Sequence, residues 1–390
     1  MKIPSLAQSV ESLELSAIKQ MAMKAAALKD VASLAWGLPS FRTPQHIRDE
    51  IKRALAKDPD LGKYSLPDGL PEFREIIAHR HFQVTGNRVN PNLNVLVTAG
   101  NMEGVMAILR TLLDPGDEVI VTDPGFASHL QQVLLSSGVP VPWRLRETDW
   151  SLNVETLHQL IGERCKAIIL VSPSNPTGKI FSETALRQVG EIAVERGLLI
   201  VLDDPYSEFL FENRDRYFNL ASVPDLSENI AYLFSFSKAH AMSGWRLGYM
   251  VVSEQLKRQV LKVHDATIIC APRISQVAGM AALSDASTHV RAFEAILAER
   301  RELICERLDR VPNVFRYVRP DGAYYVFPRI VTAHRNSATF ALELLDKAGV
   351  AVTPGRAFGV CGEHHVRMAY CVSEDSINLA FDRIERHYGP

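Results

Sequence analysis

One lysine in this chain stands between an apolar run and a glycine-punctuated turn, in Ser235-Phe236-Ser237-Lys238-Ala239-His240-Ala241-Met242-Ser243-Gly244-Trp245-Arg246. The run 229–234 before it and the run 247–252 after it both read as buried strands, so Lys238 falls just past a strand end. Ligand crevices in α/β sheets open at such ends. Among Phe234, Phe236, Met242 and Trp245 the amine would be partly desolvated, which lowers its pKa and exposes a nucleophile suited to an aldehyde. An exposed loop lysine is the alternative reading. Asn175 sits in Ser172-Pro173-Ser174-Asn175-Pro176-Thr177-Gly178, where proline and glycine fix a tight turn and leave the amide at a strand tip. An amide both donates and accepts, which suits a phenolic oxygen or a carboxylate. Asp203 ends the apolar run 198–202, where a carboxylate is costly unless it meets a positive partner. Capping is its other reading. Arg367 interrupts an apolar strand with a planar fork made for a carboxylate, although an internal Asp or Glu could equally occupy it.

Weaker signals accompany these. Gly100 and Gly104, around Asn101 and Met102, lead from the strand Val95–Thr98 into a helix predicted over 105–113, the arrangement that makes an anion site from backbone N–H groups. Most such turns carry glycine in any case. Phe126 is presented by the turn after the strand 118–122, or belongs to the core. Tyr64 lies in a loop that no periodic pattern covers, and so is available for function. Gly37, in Trp36-Gly37-Leu38-Pro39, either exposes an N–H to a ligand or simply turns the chain.

These residues must be positioned by something regular. From 94 to 252 short apolar runs alternate with helical stretches, the βα pattern of a mostly parallel sheet. Helices are predicted over 13–34, over 44–56 and from Pro71 onward. Past about residue 275 the character changes. A long helix is predicted over 276–308, strands 314–318 and 323–327 paired around Pro320-Asp321-Gly322, a helix over 338–348, strands over 350–353 and 365–371, and a final helix over 373–387. The expected architecture is therefore an α/β large domain, 45–275, with a smaller α+β domain made of 1–44 and 276–390.

At 390 residues two domains are the natural expectation, and 43 basic against 45 acidic residues give no reason to expect nucleic acid or an anionic membrane as partner. The five cysteines are odd in number and form no CxxC pair, so neither a disulfide framework nor a metal site is suggested. No uncharged run reaches membrane-spanning length and the first residues lack an apolar signal core, so a cytoplasmic protein is expected.

The series Asn175-Pro176-x-Gly178, Asp203-x-x-Tyr206, Ser235-x-Ser237-Lys238 and Arg246 resembles the pyridoxal-phosphate-dependent aminotransferases of fold type I, class I/II, over nearly the whole chain from Gly37 to Arg367. The resemblance implies a seven-stranded-type sheet flanked by helices in the large domain and pyridoxal 5′-phosphate as cofactor. It implies that Lys238 forms the internal aldimine and then shuttles the substrate proton. Asp203 would pair with the pyridine nitrogen, Asn175 and Tyr206 would contact the phenolic oxygen, and Phe126 would stack on the ring. Gly100, the backbone at Asn101 and Met102, Ser235, Ser237 and Arg246 would hold the phosphate. Arg367, with Asn175 and the Gly37 N–H, would bind the substrate carboxylate. Tyr64 would reach the phosphate of a neighbouring subunit, so a homodimer follows.

The implied reaction moves the amino group of an L-amino acid to 2-oxoglutarate or pyruvate, with a C–S β-lyase or another eliminating or oxidising enzyme on the same scaffold as the alternative. A cofactor-binding regulatory module is disfavoured, since a DNA-binding helix-turn-helix has no room before Gly37. Three departures from the family pattern stand out: Ser172-Pro173-Ser174 before the Asn-Pro turn, Asp204-Pro205 after Asp203, and Phe126 where a hydrogen-bonding aromatic is frequent.

Overall fold

In the computed structural model, which describes residues 4–389 except 12, 14, 16, 285–287 and 334–335, seven strands form one sheet. Its order is Val95–Thr98, Gly248–Val251, Ile230–Ser235, Leu199–Asp204, Cys165–Leu170, Glu118–Asp123, Val139–Arg144. All run parallel except Gly248–Val251, which is antiparallel to both neighbours. A parallel return would need a crossover, usually a helix; the connection 236–247 contains only a short turn, so the chain doubles back. That connection is the loop holding Lys238 and Arg246. Pairing of Ser235 with Gly248, and of Thr98 with Gly248, brings three strand ends to one edge of the sheet.

Period-two alternation places the sheet between two apolar layers. Val95, Val97, Ile168, Leu170 and Ile200 join one cluster with Phe73, Trp143 and Phe236. Leu96, Ala167, Ile169, Leu199 and Val201 face the other way, against Val105, Ile108 and Val260. Both faces being covered explains why the strand sequences read as near-continuous apolar runs. A further cluster, from Leu34 and Phe315 through Tyr324 and Phe340 to Met368 and Ile384, gathers the small strands and helices of the C-terminal part together with residues near the N-terminus. Ala32–Ser33 pairs in parallel with Val350–Ala351, which joins the two ends of the chain.

Several predicted elements differ. The described helix near the N-terminus covers Ala17–Ala27, not 13–34, because Asp30 adopts φ 59° and the next residues leave to pair with Val350–Ala351. The helix predicted over 105–113 starts earlier, at Asn101, with Gly104 inside it. Glycine there costs about 1 kcal/mol against alanine, but a Cβ would lie 2.7 Å from Leu233 of the sheet, so the close approach decides. The stretch 276–308 is described as two helices, Arg273–Ser284 and Thr288–Asp309. Strands 314–318 and 323–327 do not pair with each other. Phe315–Arg316 pairs with Arg329–Ile330, and Tyr325–Val326 pairs with Val366–Ala369. The turn expected to join them is held elsewhere: Asp321 and Gly322 donate to the Gly178 carbonyl, and Ala323 takes φ 57°. Among the described residues no helix is long and apolar enough to cross a membrane.

Candidate active site

A cleft of about 270 Å³ opens at the edge where the strands end. It is lined by Gly37, Asn101, Met102, Phe126, Asn175, Asp203, Tyr206, Ser235, Ser237, Lys238, Arg246 and Arg367, twelve residues singled out from the sequence. Gly100 lies behind the lining as the N-cap of the helix Asn101–Leu112. Tyr64 is not among the lining residues and is 72% exposed on its loop.

The Lys238 amine donates to the Gly37 carbonyl at 2.9 Å and lies 5.9 Å from the centre of the Tyr324 ring. Burial pushes its pKa down to about 8, and the cations Arg367 and Arg246 push in the same direction. The loop that carries it is anchored by Thr43, whose hydroxyl donates to the Ala241 carbonyl at 2.7 Å and accepts the Trp245 indole N–H at 3.1 Å. A Cβ at Gly37 would fall 2.1 Å from the Tyr325 hydroxyl, so any larger residue there would displace that ring. A lysine titrating near 8 has a testable consequence in the cofactor-free protein. Acylation of the Lys238 peptide, followed by mass spectrometry, should rise with a midpoint near pH 8 as the neutral amine appears. A midpoint near the ordinary lysine value of about 10.4 would contradict this environment.

Asp203 ends its strand inside the protein with both oxygens occupied. Oδ1 accepts from Asn101 Nδ2 at 2.7 Å, and Oδ2 lies 2.9 Å from His129 Nε2. It does not cap a helix in the structure. His129 was not found from the sequence; it belongs to the helix Ala127–Leu135, and helical position alone does not say that it faces a strand end. Phe126, the residue before that helix, meets the His129 ring edge-on at 5.2 Å.

Tyr206 is buried, with its hydroxyl 3.0 Å from that of Tyr325 and 3.4 Å from Asn175 Nδ2. Burial and the neighbouring Tyr325 hold its phenol well above the usual range, so it remains a neutral donor. Arg367 is 2% exposed. Nη1 donates to Asn175 Oδ1 at 3.2 Å, Nη2 donates to the Ala35 carbonyl at 2.7 Å, and the guanidinium packs 4.5 and 4.9 Å from the Tyr325 and Phe358 ring centres. Among the described residues no Asp or Glu pairs with it, and its Nε has no partner. The internal ion pair allowed by the sequence is therefore not formed. A buried guanidinium without a counter-ion carries a desolvation penalty of several kcal/mol, and an anionic ligand removes it.

On the other side of Lys238, Arg246 holds φ 51°, outside the range ordinary residues prefer, and donates to the carbonyls of Ser243 at 2.9 Å and Ala99 at 3.2 Å. Gly100, with φ 79°, makes room for it: a Cβ would lie 2.6 Å from Arg246 Nη2. Backbone strain of this kind costs on the order of 1–3 kcal/mol and collects at ligand sites. Ser235 and Ser237, the helix N-terminus after Gly100 and the Arg246 guanidinium together could hold a phosphate. The cleft also contains residues not singled out from the sequence, including Lys19, Trp36, Ser128, Ser243 and Tyr325. Its charged lining is four cations, Lys19, Lys238, Arg246 and Arg367, against Asp203 alone, a field that concentrates anionic ligands.

Sheet, switchback loop and cleft of this kind define a class, the fold type I transferases that work with pyridoxal phosphate. Residues 29–384 match the family profile described as aminotransferase class I and II. The chain is similar to an aspartate aminotransferase of Pyrococcus abyssi, 35% identical over 95% of both chains, and to aromatic-amino-acid aminotransferase 2 of Thermococcus litoralis, 31% identical over 98% of both. Its fold superposes on that of Thermus thermophilus aspartate aminotransferase with maleate at a TM-score of 0.92, with 31% identity over 98% of this chain and 100% of that one. The chain belongs to the class I and II aminotransferases, enzymes that move an amino group between an amino acid and a 2-oxo acid.

Proposed function

We propose that this protein uses Lys238 and bound pyridoxal phosphate to move the amino group of an L-amino acid to 2-oxoglutarate or pyruvate. The observation that carries the reading is one cleft holding a lysine of lowered pKa between two unlike anion sites, Arg246 and Arg367. The residues fit the cofactor: the notch at Gly100, two serine hydroxyls and Arg246 suit its phosphate, and the doubly held Asp203 suits a protonated ring nitrogen. When bound, pyridoxal phosphate supplies the electron sink that makes the substrate Cα acidic. The chain's own residues do the rest. Arg367, oriented by Asn175 and the Ala35 carbonyl, grips the α-carboxylate and aims the Cα–H bond toward Lys238. Lys238, as the neutral amine, takes the proton from Cα. Tyr206 and Asn175 would hydrogen-bond the phenolic oxygen, and Phe126 would lie against the ring.

An acidic donor is the substrate class favoured by the cleft. Besides Lys238, Arg246 and Arg367 the cleft is lined by Lys19, a cation suited to a second carboxylate, and the Thermus relative was solved with a dicarboxylate, maleate. An exposed pair of this type contributes up to about 1 kcal/mol. Lys19→Met should therefore lower the ratio of kcat/KM for aspartate over phenylalanine by roughly fivefold; an unchanged ratio would remove Lys19 from substrate selection. The aromatic relative and the lining residues Trp36 and Phe126 support aromatic donors as the second reading.

The exposed Tyr64, Leu66 and Leu55 support self-association into a homodimer in which Tyr64 reaches the partner's cleft, and ordinary composition supports a cytoplasmic setting. Two domains are proposed as the mobile units. They are 45–275 and 1–44 with 276–390; the helix Arg273–Ser284, which spans their boundary, packs through Ala278, Ala281 and Ala282 on the large-sheet cluster. A panel of L-amino acids with 2-oxoglutarate or pyruvate tests the function. Acceptor-dependent formation of the donor's 2-oxo acid is expected. Release of pyruvate and ammonia from cysteine conjugates without an acceptor would identify the β-lyase instead.

A further inference from the structure

Behind the phosphate-binding turn lies a pair of titratable groups that the chemistry above does not use. Glu103 occupies the first turn of the helix Asn101–Leu112, and its Oε2 accepts the backbone N–H of Ala99 at 3.1 Å. Ala99 is the residue whose carbonyl receives Arg246. The other oxygen, Oε1, lies 3.0 Å from Nδ1 of His264, which must donate to it. His264 comes from the helix Glu254–Ile268, which packs against Asn101–Leu112; its side chain is fully buried and among the described residues its Nε2 has no partner.

A carboxylate in a helix first turn is favourable when nothing else claims that end of the helix. Here the same turn, with Gly100, is the proposed seat of a phosphate dianion. Two anions at one helix end repel. We propose that the Nδ1–H bond from His264 offsets the charge of Glu103 locally, so that Glu103 can fasten the Ala99 N–H without weakening the site's hold on phosphate. The pair acts as a positioning device: it touches neither substrate nor reacting atoms, and it sets the affinity of the phosphate-binding turn. This inference rests on the assignment of Arg246, Ser235, Ser237 and the Gly100 turn to phosphate.

The test is titration of the cofactor-free full chain with pyridoxal phosphate, pyridoxal and inorganic phosphate, followed by absorbance for the first two and by calorimetry for the third. His264→Leu leaves Glu103 uncompensated and should raise the Kd for pyridoxal phosphate and for inorganic phosphate at least tenfold while leaving pyridoxal, which lacks the phosphate, unchanged. Adding Glu103→Gln, which retains an acceptor for the Ala99 N–H without the charge, should restore both to within about threefold of the original. A purely structural pair would lower the melting temperature with the phosphate affinities unmoved, or would weaken pyridoxal equally, and either result overturns the inference. Should His264→Leu fail to fold, Glu103→Gln alone decides. Phosphate affinity equal to or tighter than that of the unaltered protein is expected, and a tenfold loss contradicts the proposal. If the unaltered protein binds neither phosphate-bearing ligand, the assignment of the phosphate site itself fails, which is a distinct outcome.

Discussion

Lys238→Ala should abolish transamination, by at least about 10⁴-fold in kcat, while the protein folds, binds pyridoxal phosphate through its phosphate and becomes more stable as the apo form. The catalytic part follows from the position of the amine: a guanidinium has no acceptor for a proton from Cα, which leaves out Arg246 and Arg367, and of the two lysines lining the cleft Lys238 is half-buried while Lys19 is exposed. General base catalysis contributes about 10²–10⁴-fold, and the covalent role of the same amine adds to it. The stability part follows from the lowered pKa. Below pH 8 the folded protein must hold a cation that burial disfavours. The penalty is fully present there, shrinks as pH rises from about 8, where the folded form loses the proton, and is gone above about 10.4, where the unfolded chain loses it too. At 1.36 kcal/mol per pKa unit it is on the order of 3 kcal/mol. Alanine removes it, so the melting temperature of the apo variant should exceed that of the unaltered protein at pH 7, and the gap should close toward pH 10. An apo variant less stable at pH 7 would mean that the Lys238 to Gly37 hydrogen bond outweighs the desolvation.

Arg367→Ala should reduce kcat/KM for every L-amino acid by roughly 30-fold to several thousand-fold. Truncating one member of a buried, hydrogen-bonded charge pair costs about 2–5 kcal/mol, and here the partner is the substrate α-carboxylate. The fork matters as well as the charge. Nη1 and Nη2 are fixed by Asn175 and the Ala35 carbonyl, and the plane is set by the Tyr325 and Phe358 rings. Lysine preserves only the charge, so Arg367→Lys should recover little. An amine lacking the α-carboxylate supplies the control. Its slow turnover should be unaffected by the substitution, whereas an equal loss for amine and amino acid would assign Arg367 to the architecture of the cleft and not to the carboxylate.

Much of this site could be read directly because local chain chemistry forces it. Asn175 is presented by a proline and glycine turn whose Gly178 takes φ 70°, Asp203 ends an apolar strand, and the Lys238 to Arg246 spacing spans the switchback between two strands. The residues that escaped notice are those recruited across long sequence distances. Thr43 anchors Ala241 from 198 residues away, and His129 meets Asp203 from 74. Neither has a local signature, since a half-buried threonine or a helical histidine looks the same wherever it points. The expected hairpin over 314–327 failed for the same reason. Pro320-Asp321-Gly322 is a good turn sequence, but its N–H groups are claimed by Gly178, so the flanking strands find other partners.

The most direct test of the account is the half-reaction. Purified protein loaded with pyridoxal phosphate is given one L-amino acid with no 2-oxo acid present, and its absorption spectrum is followed while the products are quantified. Conversion of the cofactor to its amine form, with one equivalent of 2-oxo acid per site, no ammonia, and reversal on adding 2-oxoglutarate or pyruvate, is the predicted result. No spectral conversion with any common L-amino acid, or continuous release of ammonia without an acceptor, would contradict it.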